Sequence, residues 1–363
     1  MTEIGLAKDQ LDTPALWVDL DLLERNIESL AALFKSAAVH WRPHVKGIKI
    51  PAIAHRLIAA GAIGITCAKL GEAEVMAAAG IRDILIANQI VGVQKITRLA
   101  HLCRQAQVKV AVDDPDNIAE LGRAARDKGV EIGILVEVNT GMNRAGVLPG
   151  RPTVELSKRV HETAGLRYLG LMAWEGHTVA LDDPAVKRQE IEKAVQLLAE
   201  TALLCREEGL PVSIVSGGGS GTYKITPFLE GVTEIQAGGA IFCDMTYRGW
   251  GVETEPCLFV RSTVISRPTP GRLIFDAGFK ALPAWLGRAP KPVGLDHVKS
   301  VRMSAEHGIV TLEAPDPAIK VGAAFDFLVG YTDMTLFLHD HLYGVRAGLV
   351  ETIWPVVGRG KLR

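Results

Sequence analysis

The chain has 363 residues, with 40 Lys and Arg against 41 Asp and Glu and a formal net charge of -1. That balance, without a basic face or a charge run, excludes a nucleic-acid or membrane-surface protein, and no apolar stretch reaches the length of a membrane span. Five cysteines without CxxC spacing, behind an N-terminus that lacks an apolar leader, predict free thiols in a cytoplasmic protein.

The elements follow a regular order. "TPALWVDL" is an extended lead-in, and Asp19 or Asp21 can cap the helix "LLERNIESLAALFKSAA", whose Leu23, Ile27, Leu30 and Leu33 form one apolar stripe. Val- and Ile-rich runs then predict strands over 39–46, 62–68, 83–90, 108–114, 131–138, 167–174, 211–216 and 232–238. Helical segments fill the gaps, among them "GEAEVMAAAG", "DPDNIAELGRAARDKG" and "VKRQEIEKAVQLLAETALLCREEG", many ending in the Gly of a C-cap. Eight strands separated by helices predict an α/β fold with a TIM-type (β/α)8 barrel; an open doubly wound sheet is the competing architecture. After about residue 255, runs such as "CLFVRSTVISR", "GRLIFDAG" and "GIVTLEA" are strand-like with no long helix between them, which predicts a second, all-β domain.

Barrel enzymes carry their chemistry at the C-terminal strand ends. Lys46 ends the first predicted strand, Asn88 lies near the end of the third, and Asp113 and Asp114 end the fourth. Asn139 and Arg144 follow the fifth in "NTGMNRAG", and Glu175 and His177 follow the sixth in "WEGH". Ser216, Gly218, Gly219, Ser220, Gly221 and Thr222 lie in "SGGGSGT" after the seventh, and Gly238 and Gly239 in "AGGA" after the eighth. A glycine run can be a mere flexible turn. It is also the chemistry of a phosphate cradle, because backbone N–H groups stand clear of side chains on the two loops that bind phosphate in such barrels. A phosphate site combined with a lysine on the first strand points to pyridoxal phosphate. Arg42 and His44 are placed to lower the pKa of that lysine, and Arg144 to hydrogen-bond the phenolate oxygen of the cofactor.

The stretches "DTPALWVDLDLLERNI", "RPHVK", "AKLGEAEVMAAAG", "VEVNTGMNRAGV", "SGGGSGT", "TEIQAGG", "DAGFKAL" and "EHG" resemble, in order from about residue 12 to residue 361, the D-threonine aldolase and D-serine dehydratase family. These are alanine-racemase-like, fold-type III enzymes that use pyridoxal phosphate. The resemblance implies that Lys46 forms the Schiff base, that Arg144 contacts the ring oxygen and that the glycine loop holds the phosphate. It also implies a barrel over residues 20–250, a β-domain from residues 1–19 with 251–363, and a head-to-tail homodimer acting on a small amino acid. The activity implied is a lyase, an aldolase cleaving a D-configured 3-hydroxy amino acid; racemisation and dehydration on the same cofactor stay open.

The departures from that pattern concern polar groups. "RPHVK" continues as Gly47-Ile48-Lys49 where the family has Thr-His-Lys, Trp174 stands where an aromatic Tyr or a His is common, and Ala240 replaces a Tyr. The family's divalent metal is bound by a His and a Cys or Asp in an "HCDPT"-like stretch; here "GYTDMTLFLHDHLYGVR" puts Tyr331 at the His and keeps Asp333. A phenol with a carboxylate is a poor transition-metal set, leaving at most magnesium or manganese held weakly on Asp333. His177 or Tyr331 then becomes the candidate to handle the hydroxyl proton. In a racemase-type arrangement Tyr331 would reach Lys46 from the partner's β-domain. His339 and His341, at strand spacing, are expected to share one face in a structural or cross-strand role.

Overall fold

The computed structural model describes residues 3–363, which form two compact units. One comprises Leu30–Lys46, Ile53–Gly238 and Gly360–Arg363; the other comprises the residues up to Ser29, Gly47–Ala52 and Gly239–Arg359.

In chain order the strands begin with β1 (Ala15–Asp19) and continue with β2 (His40–Trp41), β3 (Ile65–Cys67), β4 (Asp83–Gln89) and β5 (Gln107–Val112). Next come β6 (Ile132–Glu137), β7 (Leu166–Met172), β8 (Ile214–Gly217) and β9 (Glu234–Ile235). Among the described residues, β2 to β9 make one eight-stranded parallel sheet in the order β2-β9-β8-β7-β6-β5-β4-β3. Its two ends meet, since the Val45 N–H donates to the Thr66 carbonyl at 2.8 Å and the Thr66 N–H to the Pro43 carbonyl at 2.9 Å. The sheet is therefore curled into the expected barrel and is not an open doubly wound sheet. All eight strands lie where the apolar runs put them. The first is the most shortened, because Pro43 has no N–H to give to a ladder and only a single bridge, His44 to Thr66, follows it.

Alternation along the strands sorts the interior. Leu85, Ala111, Leu135 and Met172 pack together with Ala87, Leu169 and Ile214 against them. By the two-residue period Asp83 and Lys109 share that inner face toward the strand starts, while Asp113 and Glu137 share it at the far rim.

The second unit holds β10 (Leu258–Thr269), β11 (Arg272–Phe275), β12 (Lys291–Pro292), β13 (Val298–Met303) and β14 (Gly308–Leu312). β15 (Ala324–Leu328), β16 (His341–Arg346) and β17 (Leu349–Pro355) complete it. Together with β1 they form a nine-stranded sheet of order β13-β14-β11-β10-β1-β16-β17, with β15 on β10 and β12 on β15. The "TPALWVDL" lead-in is thus a central strand, antiparallel to β10 and parallel to β16. Leu11, Ala15, Trp17, Val345 and Val350 form a core there, with Trp17 stacked on Phe259 at 4.7 Å between ring centroids.

The histidine pair differs from its expectation. His339 follows a 3-10 turn, Leu336–Leu338, and precedes the strand that begins at His341, so the two do not share a strand face. The His339 Nε2–H donates to the Ala281 carbonyl at 2.8 Å, which is a structural bond. Among the described residues, no helix is long and apolar enough to cross a membrane.

Candidate active site

The parallel barrel presents Lys46 half-buried, just past the bridge that closes the sheet. Its segment is fixed by backbone contacts. The His44 N–H donates to the Gln236 carbonyl at 3.0 Å, and a Cβ at Gly238 would overlap the His44 carbonyl oxygen. Gly238 is therefore there for close approach of two backbone segments. The Lys46 N–H points to His44 Nδ1 at 3.3 Å.

Arg42 does not serve Lys46. It is 1% exposed, donates through Nε to Glu234 at 2.8 Å and through Nη1 to Asp83, which also accepts from Lys109 at 2.6 Å. Burial alone would raise the Asp83 carboxyl, but the Arg42 and Lys109 cations override it and hold that carboxyl below its usual range. Asp83 and Lys109 belong to the starts of β4 and β5, the stability end of a barrel. The guanidinium charge is spent on two carboxylates.

At the rim, Arg144 is largely exposed, with Nη2 3.8 Å from Glu137 Oε1. Glu137 is buried and accepts from Gln89 Nε2 at 2.6 Å. Burial pushes its carboxyl up, against the pull of Gln89 and Arg144. Glu137 is a site residue beyond the sequence expectation; its signal in "EIGILVEV" is an acidic residue at an inward position of an apolar strand. Asn139 Oδ1 accepts from the Gly141 and Asn143 N–H groups, and Asp113 from the Gly146 N–H, so the Arg144 loop is tied to two strand ends. His177 is exposed in the short turn Gly176–Thr178, and its ring lies on Gly141, where a Cβ would come within 2.9 Å of Nε2. The structure thus brings His177 beside the loop that carries Arg144.

The glycine loop leaves β8 at Gly217. Gly218 has φ +65, a left-handed conformation that glycine adopts without strain, and a Cβ on it would overlap Ile235. A Cβ on Gly219 would stand 2.6 Å from the Trp174 ring. Ser220 and Thr222 are buried, and the Ser216 hydroxyl is turned into the wall, donating to Glu234 at 2.8 Å. A cradle so stripped of side chains, with an amine on the same barrel, fits pyridoxal phosphate in its donor chemistry.

A separate group of residues forms within the second unit. Tyr331 precedes the short helix Thr332–Thr335, and its hydroxyl donates to Asp333 Oδ2 at 3.1 Å. The Tyr247 hydroxyl reaches Asp333 Oδ1 at 3.4 Å. Tyr247 also backs Gly239, where a Cβ would overlap the phenol oxygen. Trp285 stacks on Tyr331 at 5.8 Å, and Trp250 meets it edge-on at 5.9 Å. Burial, reinforced by the Asp333 charge, pushes both phenols well above their usual range. They are neutral donors. Asp333 also packs on Gly47, where the missing side chain admits the carboxylate.

These residues do not fit the family's metal. The set is one carboxylate between two phenols, without the imidazole or thiolate that a transition metal favours. Among the described residues, no group of three or more His, Cys, Asp or Glu side chains gathers as a metal site.

Residues 18–246 match the family model described as "Alanine racemase, N-terminal domain", and residues 257–345 match "Putative serine dehydratase domain". The D-threonine aldolase of Arthrobacter sp is 36% identical over 355 residues, 97% of this chain and 93% of that protein. The 3-hydroxy-D-aspartate aldolase of Paracoccus denitrificans (strain Pd 1222) is 35% identical over 370 residues, 98% of this chain and 94% of the relative. The crystal structure of D-threonine aldolase from Filomicrobium marinum superposes with a TM-score of 0.96 at 37% identity, covering 100% of both chains. The chain therefore belongs to the alanine-racemase-like family, in the group that contains these D-amino-acid aldolases.

Proposed function

We propose that this protein is a pyridoxal-phosphate-dependent aldolase that cleaves a D-configured 3-hydroxy amino acid between Cα and Cβ, giving glycine and an aldehyde. The observation that carries the reading is the near full-length similarity to D-threonine aldolase and 3-hydroxy-D-aspartate aldolase, together with a lysine and a glycine cradle on one barrel. Bound there, the cofactor supplies an electron sink for the pair left on Cα when that bond opens.

The chain's own residues divide the remaining work. Lys46 holds the cofactor covalently through its amine, the glycine loop after β8 receives the phosphate, and Arg144 offers a cation to the ring oxygen, backed by Glu137. The 3-hydroxyl must lose its proton as the bond breaks. Tyr331, kept as a neutral phenol, is suited to donate, so proton acceptance falls to His177 or to the Asp333 carboxylate that Tyr331 orients. Because the donors around Asp333 do not fit a metal, we infer that turnover needs no divalent ion. The homodimer implied by the family resemblance, and the cytoplasmic setting expected from five free cysteines, belong to the same proposal.

The test is incubation of the purified protein, loaded with pyridoxal phosphate, with 3-hydroxy amino acids of both hands, with and without a chelator. Aldehyde from the D-isomers, undiminished by chelation, is the expected result. Ammonia in its place would make the protein a dehydratase, and the opposite enantiomer a racemase. Stoichiometric metal with chelation-sensitive turnover would overturn the metal-free reading alone.

A further inference from the structure

The glycine loop is shaped from behind by a buried carboxylate. Glu175, 2% exposed, accepts the Gly218 N–H through Oε2 at 3.2 Å. Its Oε1 accepts the hydroxyls of Thr222 at 2.8 Å and Thr226 at 2.5 Å. Three donors, from the loop and the turn beyond it, converge on one side chain at the end of the preceding strand. Inside the loop the Gly219 N–H donates to Thr222 Oγ1 at 3.1 Å, and the Thr222 N–H to the Gly219 carbonyl at 3.1 Å, closing a tight turn. Trp174, the residue before Glu175, supplies the flat wall against which Gly219 lies.

A carboxylate is a costly choice at this place. It is a like charge behind a loop suited to a phosphate dianion, and its burial needs full hydrogen bonding to be tolerated. Its advantage is geometric, since one acceptor group draws three donors to a common point and presets the loop before any ligand arrives.

We propose that Glu175 is a positioning residue that preforms the 216–222 loop for the phosphate group of the cofactor. This rests on the cofactor reading above. It assigns the phosphate-dependent part of cofactor affinity to a side chain that faces the loop from the protein side.

The probe is a pair of ligands that differ only in the phosphate, pyridoxal phosphate and pyridoxal, titrated by absorbance into the full-length protein and into Glu175→Ala, Glu175→Gln and Thr226→Val. In Glu175→Ala, pyridoxal phosphate is expected to bind about 10- to 100-fold more weakly, the equivalent of one or two lost charge-assisted hydrogen bonds. Pyridoxal affinity should change little. Glu175→Gln keeps one amide oxygen as acceptor and should recover part of the loss. Thr226→Val removes a single donor while its isosteric side chain keeps the packing on Gly218, and should give a smaller loss in the same direction, which keeps the test open if Glu175→Ala does not fold. Equal weakening of both ligands, or unchanged pyridoxal phosphate affinity in folded variants, would overturn the assignment. Failure of the wild-type protein to bind either ligand would instead overturn the cofactor reading.

Discussion

Asp333 rests on the backbone of Gly47, so close that a Cβ at position 47 would overlap Asp333 Oδ1 and lie 3.2 Å from its Cγ. Residue 47 follows Lys46 in the chain. Gly47→Thr should force the carboxylate off its two phenol donors. Overpacking of this kind costs about 1–3 kcal/mol. The expected outcome is a modest fall in denaturation midpoint with a loss of turnover of at least about tenfold. Wild-type turnover in a stable Gly47→Thr protein would show that Asp333 is a bystander.

Tyr331→Phe removes the donor to Asp333 Oδ2 but keeps the ring between Trp250 and Trp285. Turnover should fall by about 100-fold or more with cofactor affinity unchanged, in the range seen for a lost acid–base group. Tyr331→His replaces the phenol by imidazole and should let manganese or zinc bind measurably by calorimetry, which the parent should not do.

Lys46→Ala should abolish covalent retention of the cofactor. Borohydride treatment of the wild type should fix it to the peptide containing residues 42–49, as read by mass spectrometry. Label on Lys280 or Lys49 would move the anchor elsewhere.

Arg42→Met should destabilise the barrel strongly while telling little about chemistry. It leaves Glu234 and Asp83 without their shared cation, and breaking a buried pair in this way costs about 3–5 kcal/mol. Urea unfolding measures it. A loss below about 1 kcal/mol would mean that Lys109 alone satisfies both carboxylates.

His339 makes stability depend on pH in a stated direction. Burial holds its imidazole below the usual range, so the unfolded chain binds more protons than the folded one at mildly acid pH. Stability should therefore fall as pH drops below about 6.5 and level off once the folded-state value is passed. His339→Gln can still donate to the Ala281 carbonyl and should flatten that part of the profile. An unchanged profile would assign the acid sensitivity to other groups.

The eight barrel strands and their order were legible in the amino-acid sequence because β-branched runs, glycine C-caps and helical periods are local properties. They placed Lys46, Arg144, His177 and the glycine loop on strand ends, and family motifs named their chemistry. Which charges meet was not legible. Arg42 stands four residues from Lys46, yet its guanidinium is spent on Asp83 and Glu234, because barrel closure brings the starts of β4 and β9 to it. Glu175 meets Thr226, 51 residues away, and Tyr247 meets Asp333, 86 residues away. His339 reads as strand from its spacing, but the turn at Leu336–Leu338 takes it out of register with His341. Periodicity determines which face of an element is buried. Partners across loops are chosen only when the sheets close and the buried polar groups must find donors, and that choice belongs to the tertiary structure.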